Sequence, residues 1–201
     1  MKYNDTLHSL HGNSFYAWQP STWPAPPSTY TEKFRDLLGK IFQDSLLFEI
    51  ENVIRDAPTL EHRGHVVALS ILCGIDTVSS YAFRNCEKDI CKSCKRTDKV
   101  GPRYKKYISD FFPIEYQPFA DRLYHLYRNS ITHSWNLFEA AMLPGNEPIA
   151  EVNGTIILGL RNFFDAFKTS VDIFLDRLNR DITLQESALH RYRELKDSAR
   201  A

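Results

Sequence analysis

Between Leu60 and Phe83 the chain is apolar around much of a helix circumference, with Val66, Leu69, Ile75 and Val78 on an inner face. A helix with so little polar surface must sit centrally, wrapped by other elements. The flanking segments read as the wrapping. Thr29 and Glu32 have capping-box spacing, and Phe34, Leu37, Leu38, Ile41, Phe42, Ser45 and Phe48 then recur at helical intervals until Pro58. Gly101-Pro102 predicts a helix start, with Tyr104, Tyr107, Ile108, Phe111 and Phe112 ahead of the stop at Pro113. Pro118 opens the next helix, with Phe119, Leu123, Leu126 and Tyr127 facing inward. A further helix runs from about Gly159 to Leu178 with Phe163, Phe164, Phe167, Val171, Phe174 and Leu175. The last starts at Thr183, three residues before Glu186, and its polar faces predict light packing or an interface. Between these helices, Ile149–Val152 and Thr155–Leu158 flank Asn153-Gly154, a type I′ turn signal. That predicts a β-hairpin at about 148–158, to which Leu137–Met142 can add a third strand. The expected fold is mainly α, an antiparallel helical bundle with a small inserted β-hairpin.

The 201 residues suit one domain, here 29–201, preceded by an arm over 1–28. Pro20, Pro24, Pro26 and Pro27 keep the arm irregular, while Phe15, Tyr16, Trp18 and Trp23 are too apolar for a solvated tail. It reads as a segment packed over the domain, or else as a partner-binding strip. Hydrophobic residues make up 43% and charged residues 25%, a soluble globular balance, and the formal net charge is zero. No whole-molecule field draws in nucleic acid or membrane, which leaves room only for a local patch. No apolar run reads as long enough to span a bilayer, and Met1–Gln19 lacks a signal-peptide pattern, so no membrane partner and a cytoplasmic location are expected. In that setting the four cysteines read as thiols or metal ligands before disulfides.

At helical spacing Arg122, His125, Asn129 and His133 form one polar stripe, flanked by Arg128. A histidine titrating near neutrality can take or give a proton. A guanidinium can hold a phosphate through two parallel hydrogen bonds. RNA supplies its own nucleophile, the 2′-hydroxyl, so such a cluster can in principle cleave a phosphodiester without metal. The bland alternative is that His133 and Asn129 satisfy backbone groups near a helix end and Arg128 pairs with Asp121 or Glu139.

The stretch Leu126-Tyr127-Arg128-Asn129-Ser130-Ile131-Thr132-His133 resembles the Arg-x4-6-His signature of the HEPN superfamily, the higher eukaryotes and prokaryotes nucleotide-binding domains. The resemblance covers about a dozen residues by motif and residues 30–180 by helical architecture. It implies a metal-independent endoribonuclease that works as a homodimer, with two motifs facing each other across a two-fold axis. In that role Arg128 binds the phosphate, Asn129 positions it and His133 is the general acid/base, with His125 and Asp76 behind them. Other members of the family are non-catalytic, RNA-binding or protein-assembly modules of defence or toxin–antitoxin systems. Some pair with an antitoxin that modifies a tyrosine two residues after the histidine; that position here is Trp135.

Asp76 stands among apolar neighbours, and a buried carboxylate needs a partner. Either it pairs within the core, or it orients Arg128 or a histidine of the neighbouring helix. In the Cys/Lys-rich loop 84–100, Cys86, Cys91 and Cys94 are spaced C-x4-C-x2-C. They are three thiols of a structural zinc site lacking a local fourth ligand, or simply free thiols or a redox pair. From Arg84 to Lys106 nine Lys/Arg face three acids, a local excess of +6 balanced by −6 elsewhere. Lys92, Lys95, Arg96, Lys99, Arg103, Lys105 and Lys106 form a candidate RNA-binding patch, with Tyr104 and Tyr107 available to stack on bases; a solvated loop is the alternative. The chain has 8 glycines but no GxxxxGK, no HExxH and no Gly-x-Ser-x-Gly, which argues against nucleotide-cofactor enzymes and serine hydrolases.

Overall fold

A computed structural model describes residues 23–55, 64–84, 89–90, 97–98, 100–132 and 140–199, with 89–90, 97–98 and 128–132 described as backbone. These residues form a mostly helical fold with a small three-stranded sheet. Helix α1 (Glu32–Ile41) is capped by Thr31, whose Oγ1 accepts the Phe34 N–H at 3.2 Å. The cap therefore falls two residues after Thr29, because the chain stays extended through Thr31. Wide π-helical turns over Phe42–Leu47 join α1 to α2 (Phe48–Arg55). Such turns shift the helical phase. Leu46, Leu47, Ile50 and Ile54 consequently face the core, while Phe48, expected inside, is 39% exposed.

Helix α3 (Gly64–Ala82) lies at the centre. It touches α2, α4 (Val100–Phe111), α5 (Ala120–Thr132), α6 (Leu160–Arg177), α7 (Ile182–Ser198) and strand β3 (Ala140–Leu143). Val67, Ala68, Ile71, Leu72, Ile75 and Val78 are fully buried, each larger side chain contributing about 1.5–3 kcal/mol. Near its start the inner face lies beside the expected one: Val66 is exposed, because β3 and the first turn of α6 approach on the Gly64 side. By length and mean hydropathy alone, 19 residues at 1.3, α3 is long and apolar enough to cross a membrane, which the reading of apolar runs missed because Asp76 interrupts it. In this fold the same apolar character meets protein neighbours.

Helix α7 is more than a lightly packed surface helix. Its cap is Asp181, which accepts the Leu184 N–H at 3.1 Å, in place of the expected Thr183. It buries Leu184, Ala188, Leu189, Tyr192 and Lys196 against α3 and residues 23–28. Trp23 stacks on Tyr192 with ring centroids 5.0 Å apart. Tyr192 Oη donates to the Pro24 carbonyl at 2.8 Å, Lys196 Nζ to the Trp23 carbonyl, and Arg193 Nη2 to the carbonyls of Pro27 and Ser28. Side chains of α7 thus satisfy an extended segment that has no strand partner. Over 23–28 the arm packs on the domain; Phe15, Tyr16 and Trp18 lie outside the described residues.

Strands β1 (Asp89–Ile90) and β2 (Thr97–Asp98) form a two-residue antiparallel ladder inside the segment expected to be loop, too short to show a period-two pattern. In the larger sheet the order is β3-β5-β4, with β4 (Ala150–Val152) antiparallel and β3 parallel to β5 (Thr155–Gly159). Asn153 and Gly154 both take positive φ between β4 and β5. The parallel pairing forces residues 144–149 to cross over the end of β5. Arg161 N–H donates to the Gly145 carbonyl there at 3.1 Å. A Cβ on Gly159 would fall against the backbone N and O of Glu147.

Two measurements test this packing. Gly159→Ala is expected to destabilise by about 1–3 kcal/mol in urea titrations, since the clash is with backbone that cannot rotate away. Burial pushes the Tyr192 hydroxyl up from 10.0 to about 12. Its folded pKa is raised, so its stabilising effect is complete below pH 10 and is lost as pH climbs towards 12. Tyr192→Phe should therefore flatten the alkaline fall in stability while costing about 1 kcal/mol near neutrality for the lost hydrogen bond.

Candidate functional site at the end of helix α5

Helix α5 starts after a 3₁₀ segment, Ile114–Phe119, and buries Leu123, Tyr124, His125 and Leu126. Pro118 sits inside that segment, so the helix it was expected to open begins at Ala120. Arg128 and Asn129 belong to the helical backbone near the end of α5, which closes at Thr132. His133 is the next residue and lies outside the described residues, as does Glu139. His125, on the expected polar stripe, is 7% exposed. Arg122, at the head of that stripe, reaches the sheet: Nη1 donates to Glu151 Oε1 at 2.8 Å and Nη2 to the Gly154 carbonyl at 2.6 Å. The stripe thus begins as a tie between α5 and the β4–β5 turn.

Asp76 turns out to join three helices. Its Oδ1 accepts Arg103 Nη2 of α4 at 2.8 Å, and its Oδ2 accepts the Tyr127 hydroxyl of α5 at 2.9 Å. Arg103 and Asp76 are each 23% exposed, so the pair is shielded from most solvent screening. Tyr127 directly precedes Arg128, so the carboxylate anchors the turn that carries the motif. It does so through Tyr127 and Arg103, where sequence spacing offered Arg128 or a histidine.

Aromatic packing surrounds this junction. Tyr104 stacks on Tyr127 at 5.3 Å and tilts against Tyr124 at 5.5 Å. Tyr104 is fully buried, so it belongs to the core and cannot stack on a base; the same holds for Tyr107, whose hydroxyl meets Ser170 at 3.1 Å. Burial, and then the Asp76 charge, raise the Tyr127 hydroxyl far above its ordinary range. The same two causes raise Tyr104 and the Cys73 thiol. These three groups stay protonated at neutral pH.

The candidate basic patch divides. Arg103 serves Asp76, Lys105 pairs with Asp121 of α5 at 3.2 Å, and Lys106 pairs with Asp110 at 2.8 Å and lies over the Phe83 ring at 4.9 Å. Arg103 and Lys106, three residues apart, lie on one side of α4 and Lys105 points away from Arg103, and each of the three is drawn to a different carboxylate. Asp121, considered as a partner for Arg128, takes Lys105. Lys92, Lys95, Arg96 and Lys99 lie outside the described residues, as do Cys86, Cys91 and Cys94. Among the described residues no three of His, Cys, Asp and Glu are grouped to hold a metal ion. Tyr127 and Arg103 are the positioning residues that spacing did not single out; the one pointer was the need of Asp76 for donors.

No protein-family model, curated protein or solved structure matches the chain.

Removing the central acceptor should release both donors. Asp76→Asn is expected to destabilise by about 1–3 kcal/mol, and Tyr127→Phe by about 1 kcal/mol, in chemical denaturation. A double mutant less destabilised than the sum of the singles would mark the two as one network.

Proposed function

We propose that this protein is a metal-independent endoribonuclease of HEPN type, a homodimer of antiparallel helical bundles with an inserted hairpin. What carries the reading is the Asp76–Tyr127 hydrogen bond, which fixes α5 one residue before Arg128. A phosphate clamp needs its guanidinium held to within a fraction of an ångström, and a positioned turn is the means.

In this reading His133 takes the proton of the RNA 2′-hydroxyl as its oxygen attacks phosphorus. The 5′-oxygen departs and takes a proton from His133 of the partner subunit. Arg128 offsets charge on the phosphoryl oxygens, and Asn129 orients them. The products are a 2′,3′-cyclic phosphate and a 5′-hydroxyl. The ion pairing of Arg103, Lys105 and Lys106 favours a second reading: with less free charge for RNA, the fold serves as a non-catalytic RNA-binding or assembly module of a defence or toxin–antitoxin system.

Mixed RNA incubated in excess chelator separates the two. The wild type is expected to leave 2′,3′-cyclic ends, and His133→Ala and Arg128→Ala to lose about 10²–10⁴-fold in rate. Cleavage that survives His133→Ala would sink the enzyme reading. Salt-sensitive RNA binding without cleavage would support the module.

A further inference from the structure

Two surface depressions flank the start of α7. One, of about 310 Å³, is lined by Phe83, Arg84, Lys106, Thr183 and Glu186 among others. The second, of about 580 Å³, is lined by Arg177, Arg180, Asp181 and Ile182. Consecutive residues, Ile182 and Thr183, line the one and the other. Their cations share a floor: Lys106 lies over Phe83 at 4.9 Å, Arg177 lies over Phe111 at 4.8 Å, and the two rings are 6.1 Å apart.

Arg84 and Lys106 are the first and last cations of the +6 segment. The fold therefore brings both ends of the charge run to one depression, and the last residue of α6 and the turn after it add Arg177 and Arg180 nearby. Arg84, Arg177 and Arg180 make no ion pair with any described residue. The Lys106–Asp110 pair is exposed and of the i,i+4 kind, weak enough to yield to a phosphate. Of the acids lining the depressions, Asp181 has one carboxylate oxygen engaged in capping α7, and Glu186 remains. Ile182, 70% exposed between these cations, offers apolar surface.

We infer that this surface docks single-stranded RNA. Cations spread along neighbouring recesses suit a strand whose charges are separated by sugars and bases, and Arg177, resting on a ring, leaves its guanidinium edge for phosphate. The interspersed Asp181 and Glu186 disfavour a dense acidic protein face. The identity of the polyanion as RNA rests on the ribonuclease reading; the surface itself does not.

The test is fluorescence anisotropy with a labelled oligouridylate of about twenty nucleotides, on the His133→Ala protein so that the probe survives. Arg84→Glu combined with Arg180→Glu is expected to weaken binding at least about tenfold and to reduce the log–log salt slope by about 1.4, the value for two lost phosphate contacts. Lys168→Glu, an exposed charge reversal elsewhere on α6, should change neither. Equal effects from the two variants, or none, overturn the proposal. So does tight binding of an acidic peptide in place of RNA. The two readings fail separately. Without cleavage by the wild type, loss of binding on charge reversal still supports the surface. With cleavage and binding both untouched by the reversal, the surface falls and the enzyme stands.

Discussion

Enclosing helix α3 dictates most of what surrounds it. Its apolar circumference has to be covered, so α2, α4, α5, α6, α7 and β3 all come to rest on it. A single carboxylate, Asp76, interrupts that surface, and desolvating it without donors would cost several kcal/mol. Arg103 and Tyr127 answer from two different helices. Hydrophobic burial alone would tolerate sliding of α4 and α5 along α3. A bidentate acceptor with one donor on each neighbour does not, because hydrogen bonds fail within a few tenths of an ångström.

Much of this architecture could be read from residue order, for identifiable reasons. The phenylalanines of α6 and the aromatic stripe of α4 obey helical spacing and are buried as that spacing requires. Asn153-Gly154 sits where the backbone takes two positive φ values, a local demand with a local signature. Expectations departed from the structure where geometry is not encoded locally. Nothing in Phe42–Leu47 announces a wide turn, so the phase error carried through to Phe48. Light packing of α7 was inferred from its polar residues, yet Lys196 and Arg193 use their long stems and charged ends to bind the carbonyls of the arm. The parallel β3–β5 pairing depends on a crossover that no pair of strand patterns reveals.

The candidate site shows the same division. Arg128, Asn129 and His133 are legible as a candidate motif because the proposed chemistry asks for three residue types at fixed intervals. Their support was not legible. Tyr127 looks like one more core aromatic until its hydroxyl is found on Asp76, and Arg103 looks like one more cation of a basic run until it is found on the same carboxylate. A charge count sees +6 between Arg84 and Lys106 but not that three of those charges are answered by Asp76, Asp121 and Asp110.

The tie from Arg122 to Glu151 and Gly154 has a thermodynamic implication for the β4–β5 turn. A two-residue turn at the edge of a small sheet would ordinarily open by itself, ahead of the rest of the fold. Here one guanidinium spans from α5 to both β4 and the turn, so peeling the turn away also breaks contacts to a helix. The least cooperative corner of the sheet is thereby joined to the cooperative unit of the bundle.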